Sequence, residues 1–319
     1  MNRKNMLVVV NTGLVFILLA ACSAMAPTPA PTPTAVVMPS TGIQYQFVTN
    51  SLLLPATRED TQTFALNIDG DPQQKLDNKF GELFTLLVSA APSLNLQLTL
   101  DQAVKGGQLV SLHTVQANDL LNDSSVSWSI FQGQATASAP LFDGTDIFQP
   151  AFDVSSDSSI IGSLISGHFS GASGKASIEI SLLGQVVKVD LIGGMLEADV
   201  SEKGCVNGKL GGGLTVDDFQ SKLLPAIVDG LNQIIQADLT TTTKILSQVF
   251  DTNHDGTITQ QELEGNPLLM IAISPDLDLL DASGAYNPRQ DGVKDSYSVG
   301  LGFTCVPSSF TTPEILLIP

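Results

Sequence analysis

Apolar and polar residues alternate with a period of two through much of this chain, and only an extended strand puts such residues on two separate faces. Val126, Trp128 and Ile130 alternate with Ser125, Ser127 and Ser129. Ile178, Ile180 and Leu182 alternate with Glu179 and Ser181, Val187, Val189 and Leu191 with Lys188 and Asp190, and Leu196, Ala198 and Val200 with Glu197 and Asp199. Leu94, Leu96, Leu98 and Leu100 alternate with Asn95, Gln97 and Thr99 and read the same way. Near the C-terminus, Tyr297, Val299, Leu301, Phe303 and Cys305 give the cleanest run of all. Each run predicts a strand with one dry face and one wet face, the pattern of antiparallel sheet over a core. The expected body, residues 42–214, is an antiparallel β-sandwich or open barrel.

Helical spacing interrupts this pattern in two places. Leu76, Phe80, Leu83, Phe84 and Leu87 form one apolar stripe after Pro72 and predict a helix lying on the sheet. The second place follows Gly211-Gly212-Gly213, where the strand character ends. Thr215 is placed to cap a helix carrying Phe219, Leu223, Ile227, Leu231 and Ile234 on one side, with Pro225 bending it. A further helix ends in Ile245, Leu246, Val249 and Phe250, its start weakened by Thr240 to Thr243. Residues 215–274 therefore form a helical insertion, and residues 275–319 return to the sheet. The predicted class is α+β.

The insertion contains the densest chemistry in the chain. Residues Asp251 to Glu262 read Asp-Thr-Asn-His-Asp-Gly-Thr-Ile-Thr-Gln-Gln-Glu. Short oxygen side chains stand at the first, third and fifth places (Asp251, Asn253, Asp255), a glycine stands at the sixth (Gly256), and a long carboxylate closes the run (Glu262). This resembles the twelve-residue EF-hand calcium loop. The resemblance implies that Thr257 lends its backbone carbonyl, that Thr259 acts through its hydroxyl or a water, and that Glu262 binds through both oxygens. Phe250 and Ile258 resemble the family's apolar packing residues. Gly265-Asn266-Pro267 departs from it, because Asn266 and Pro267 should break the exit helix after barely a turn and restart it. A sensor needs two firm helices that swing apart, so the expected Ca2+ is a structural clamp.

The N-terminus sets the compartment. Arg3 and Lys4 precede an apolar stretch from Met6 to Ala20, short for a membrane span and shaped like a secretory h-region. It ends in Leu19-Ala20-Ala21-Cys22, which resembles a bacterial lipobox, with residues 1–21 removed and Cys22 lipidated. The alternative is an ordinary signal peptide with an incidental cysteine. Residues 22–41, rich in proline and threonine, predict an extended tether reaching roughly 50 to 60 Å at about 3.1 Å per residue. Ser23 after the cysteine resembles the sorting residue of outer-membrane lipoproteins. Removing the signal leaves 12 Lys and Arg against 32 Asp and Glu, a net charge of −20. Such a field repels nucleic acid and anionic head groups, so the expected membrane contact is through the lipid alone.

With Cys22 used, Cys205 and Cys305 remain, and an oxidising compartment predicts that they pair. The enclosed loop is worth about 4.7 kcal/mol in the chain-entropy model. Two buried free thiols are the alternative. Asp69, Asp71 and Asp77 echo the spacing of a second cation site, although Pro72 stands where Gly256 stands in the first loop; acidic residues at a helix start explain the same letters.

Catalytic constellations are thin. His113 and His168 lack metal-ligand spacing, His254 lies in the calcium loop, and Gly167-His-Phe-Ser-Gly is not a nucleophile elbow. The order of features resembles a group of EF-hand-containing bacterial lipoproteins without assigned chemistry, including Lys222-Leu-Leu-Pro-Ala-Ile, Pro275-Asp-Leu-Asp-Leu and Asp291-Gly-Val-Lys-Asp-Ser. Two functions follow as expectations: a surface binding or scaffold module for a protein or glycan partner, or a secreted-type hydrolase or glycan-active enzyme with structural Ca2+. Asp276 and Asp278 are the acidic pair such an enzyme would draw on.

Overall fold

A computed structural model describes residues 42–73, 75–90, 95–151, 159–172, 175–237, 241–270 and 272–311. Leu94, Cys22, the signal segment and the tether lie outside them. In chain order the elements are β1 (Ile43–Leu53), α1 (Arg58–Thr63), α2 (Lys79–Ala90), α3 (Leu96–Lys105), β2 (Ser111–Ala117) and β3 (Asn122–Gln132). There follow β4 (Ile147–Phe148), β5 (Ser159–Ile165), β6 (His168–Ala172), β7 (Lys175–Leu182), β8 (Gln185–Ser201) and β9 (Gly204–Thr215). The helical stretch is α4 (Val216–Asp218), a π-helical turn (Phe219–Leu223), α5 (Leu224–Ala237), α6 (Thr241–Phe250), α7 (Gln260–Gly265) and α8 (Pro267–Met270). The chain then enters β10 (Ser296–Pro307) and β11 (Ser309–Phe310).

The sheet is antiparallel throughout its long strands, in the order β6-β5-β3-β2-β1-β10-β9-β8-β7, and β6 also pairs with β8. That last pairing closes a ring of eight strands. It is possible because β8 is 17 residues long and serves two partners in turn on one edge. Its first half, Gln185 to Ile192, pairs with β7, and its second half, Met195 to Asp199, pairs with β6. The pairing covers the outer edge of β6 and of the second half of β8, so neither presents a free strand edge.

The inside of the ring is packed. Trp128 on β3 meets Phe169 on β6 at 5.0 Å between ring centres and Phe303 on β10 at 6.4 Å. His113 on β2 stacks on Phe303 at 5.3 Å. All four of these side chains are buried. A cavity of about 30 Å³ remains among Thr49, His113, Ile130 and Phe303, room for water and not for an organic ligand.

The run from Leu96 to Leu100 corrects the sequence reading, because it is helical. Leu96, Leu100, Ala103 and Val104 are its buried residues, at helical spacing, while Leu98 is 48% exposed. The short alternation was compatible with either period, and burial of Ala103 and Val104 settled it. Gln97 is held by β1: its Oε1 accepts from Leu54 N at 2.9 Å and its Nε2 donates to Leu52 O at 2.9 Å. Leu76 also falls outside its expected helix, which starts at Lys79, and is exposed.

The Gly211-Gly212-Gly213 run is a second correction. It lies inside β9 and pairs with Val299, Gly300 and neighbours on β10. Glycine is needed there for close approach: a β-carbon at Gly213 would run into Leu279 Cδ1, and one at Gly300 into the backbone oxygen of Phe64. Segments around Leu66 and Leu279 thereby lie flat on the outside of β9 and β10, forming a small cluster with Ile68 and Leu277. Cys205 and Cys305 face each other across this strand pair and form a disulfide, with Cα atoms 4.8 Å apart.

Candidate metal centre

Six helical segments, α4 to α8 and the π turn, lead into and out of the 251–262 loop. Thr215 caps α4 through its hydroxyl, which accepts from Asp218 N at 3.1 Å, as its sequence position predicted. The π turn follows immediately, ahead of Pro225, and Phe219 within it packs on Tyr297 of β10 at 4.4 Å. Helix α5 buries Leu224, Ile227 and Leu231, and α6 delivers Phe250, 1% exposed, to the start of the loop. Beyond it, α7 ends at Gly265, and Asn266 and Pro267 restart the chain as α8. The Asn266 side chain ties this break to α6, donating to Val249 O at 2.6 Å.

Inside the loop each short side chain folds a turn about itself. Asp251 is 2% exposed; its Oδ1 accepts from Asp255 N at 3.2 Å and its Oδ2 from Gly256 N at 2.9 Å. Asn253 Oδ1 accepts from Asp255 N at 2.8 Å, and Asp255 Oδ1 from Thr257 N at 2.9 Å. Gly256 has φ +87°, a left-handed conformation that a side chain would oppose, and His254 is exposed at φ 61°.

Glu262 has two roles. It forms a capping box with Thr259, whose N–H and hydroxyl both donate to Oε2, at 2.9 and 2.8 Å. Its Oε1 reaches across the loop to accept from Thr252 N and Asn253 N, at 2.9 and 3.1 Å. Burial pushes the carboxyl up, but these donors from Asn253, Thr259 and Thr252 outweigh it and hold the pKa at about 2. The group is an anion throughout the neutral range, its oxygens on loop donors. Among the described residues, no three His, Cys, Asp or Glu side chains converge as a ready metal-holding set. The donor types are nonetheless all oxygen, which fits a hard cation such as calcium better than zinc or copper.

The structure brings Asp69, Asp71 and Asp77 into one neighbourhood. Asn67 Oδ1 and Asp69 Oδ1 both accept from Asp71 N, at 2.7 and 3.0 Å, and Asp71 Oδ1 accepts from Gln73 N at 2.8 Å. The 251 loop makes the same three bonds at the equivalent places, and Gly70, φ 67°, matches His254. The likeness stops at Pro72. The guanidinium of Arg289 lies 3.2 Å from Asp71, and Asn78 is bound to Gly300. Asp77 is 8% exposed with an unpartnered Oδ2, and burial, with Asp69 and Asp276 adding to it, raises its pKa to about 6.

The histidines separate. His113 is buried and fully hydrogen-bonded. His168 is not alone, since its Nδ1 lies 2.7 Å from Asp199 Oδ1 on the surface. The Asp276 and Asp278 carboxylates serve the backbone, accepting from Ser298 N at 2.8 Å and Gly292 N at 2.6 Å. Spacing gave no sign of Asn232, whose side chain holds Ile258 in the loop from 26 residues away. Among the described residues no helix is long and apolar enough to cross a membrane. No family model, curated protein or solved structure matches the chain.

Proposed function

We propose that the protein is a lipid-anchored cell-envelope module that binds one calcium ion through Asp251, Asn253, Asp255, Thr257, Thr259 and Glu262, and offers its barrel to a protein or glycan partner. The observation that carries the reading is the loop itself: six oxygen donors in calcium-loop order, held between α6 and α7 with Asp251 buried. Calcium would neutralise the carboxylates of Asp251, Asp255 and Glu262, which repel one another. The clamp reading, as against a switch, draws on α7 being six residues long and ending at a break fastened to α6.

Thermal unfolding of the wild type and of Glu262→Gln, in calcium and in chelator, tests this. At a hundred times the dissociation constant calcium should add about 2.7 kcal/mol to the wild type, and most of that should vanish in the variant. An unchanged wild-type melting temperature sinks calcium binding, and calcium-induced binding of a hydrophobic dye sinks the clamp. The anchor is tested apart: Cys22→Ala should leave the protein unprocessed or released, and equal solubility of both forms refutes lipidation.

A second cation station at Asp69, Asp71 and Asp77 is a lesser reading, favoured by the unpartnered Asp77 Oδ2. Calorimetry of the Asp69→Ala, Asp71→Ala double variant decides it. Under this reading the wild type takes up two calcium ions and the variant one; equal stoichiometry removes the site.

A further inference from the structure

The Asn232 side chain grips one residue of the loop by both backbone groups. Its Nδ2 donates to Ile258 O at 2.7 Å, and its Oδ1 accepts from Ile258 N at 2.8 Å. Two facing residues of an antiparallel ladder exchange the same pair of bonds, so one side-chain amide here takes the place of a strand. The helix that carries it is fixed. Leu231 is fully buried, and Gly230 lies against Leu183, where a β-carbon would meet the Leu183 Cβ. A second tie runs from Gln260 Nε2 to Gln220 O, at 3.3 Å.

What this grip controls follows from the planarity of the peptide bond. The Ile258 N–H and the Thr257 C=O belong to one trans peptide unit, and the two groups point in opposite directions. Drawing the N–H towards Asn232 therefore aims the Thr257 carbonyl away from α5. The next unit obeys the same geometry. With the Ile258 C=O turned to Asn232, the Thr259 N–H points the other way, where it donates to Glu262 Oε2 at 2.9 Å. One amide thus sets two neighbouring peptide planes, one bearing a proposed ligand oxygen and the other holding the closing carboxylate.

We infer that Asn232 is the positioning residue of the calcium loop, orienting the Thr257 carbonyl for the ion and the Thr259 N–H for Glu262 from a helix outside the loop. This rests on the calcium reading above. Without the amide, the Thr257 carbonyl is free to turn, a water takes its place on the ion, and affinity falls.

The test uses the mature protein, with terbium as a luminescent substitute for calcium. Asn232→Ala should weaken terbium and calcium binding tenfold or more. The luminescence lifetimes in light and heavy water should report one more metal-bound water than in the wild type. Asn232→Leu, which keeps the side-chain volume, should do the same and serves if the alanine variant does not fold. A merely structural role would lower the melting temperature in chelator while leaving affinity and bound-water count at wild-type values, and that result overturns the inference alone. If the wild type binds neither ion, the calcium reading fails and this inference with it.

Discussion

Asn78 completes the edge of β10 at Gly300, 222 residues away in sequence, accepting from Gly300 N at 3.1 Å and donating to Gly300 O at 3.1 Å. Strand β1 stops pairing with β10 at Leu53 and Gly302, so the edge at Gly300 is left without a strand. The side-chain amide is its substitute, and it is buried. Asn78→Ala strands a buried N–H and C=O and should cost about 2 to 4 kcal/mol. Urea denaturation of the variant should show a lower midpoint at an unchanged slope; an unaltered midpoint would mean water replaces the amide freely.

Gly300 itself faces the backbone oxygen of Phe64. Alanine ordinarily serves a strand better than glycine does, but here its β-carbon has no space, and backbone cannot rotate aside as a side chain can. Gly300→Ala should therefore lose about 1 to 3 kcal/mol. A gain in melting temperature would show that the segment at Phe64 is free to lift.

His113 should make the stability of the barrel fall in acid. Its Nδ1 accepts from Trp128 Nε1 at 3.1 Å, which leaves the proton on Nε2, 2.7 Å from Thr49 Oγ1. Burial pushes the pKa down to about 3. The folded ring is neutral while the unfolded one takes a proton below about pH 6.5, so its contribution is complete above that pH and is lost as pH falls towards 3. The slope from this group is at most about 1.4 kcal/mol per pH unit. His113→Gln, whose amide can serve both partners without titrating, should flatten the stability profile over that window. An identical profile would assign the acid sensitivity elsewhere.

The Cys205 to Cys305 bridge joins facing residues of β9 and β10 and encloses a separation of 100 residues. Reduction, or the double Cys→Ala variant, should lower stability by about 2 to 4 kcal/mol, chiefly by freeing the unfolded chain. Denaturation with and without reductant measures it. Coincident curves would show that the strand pair alone fixes that register.

Much of this molecule is a consequence of spacing. Trp128 and Ile130 declare β3, Val187 and Val189 declare β8, and Phe80, Phe84 and Leu87 declare α2, because a periodic face is a local property that any core will bury. The turns of the 251–262 loop are equally local, since Asp251, Asn253 and Asp255 each accept from a backbone N–H a few residues on. So is the break at Asn266 and Pro267, where the backbone itself forbids continuation. Tertiary structure decided the rest. Whether Leu96 and Leu100 belong to a strand or a helix depended on what Ala103 and Val104 meet, and seven alternating residues carry too little of either period to choose. Ring closure depended on β8 being long enough to hold β7 and β6 one after the other. Asn78 and Asn232 are ordinary polar residues in the sequence. Only folding shows that each faces a backbone N–H and C=O with no strand beside them, because an unpaired edge exists only once the strands have found their partners.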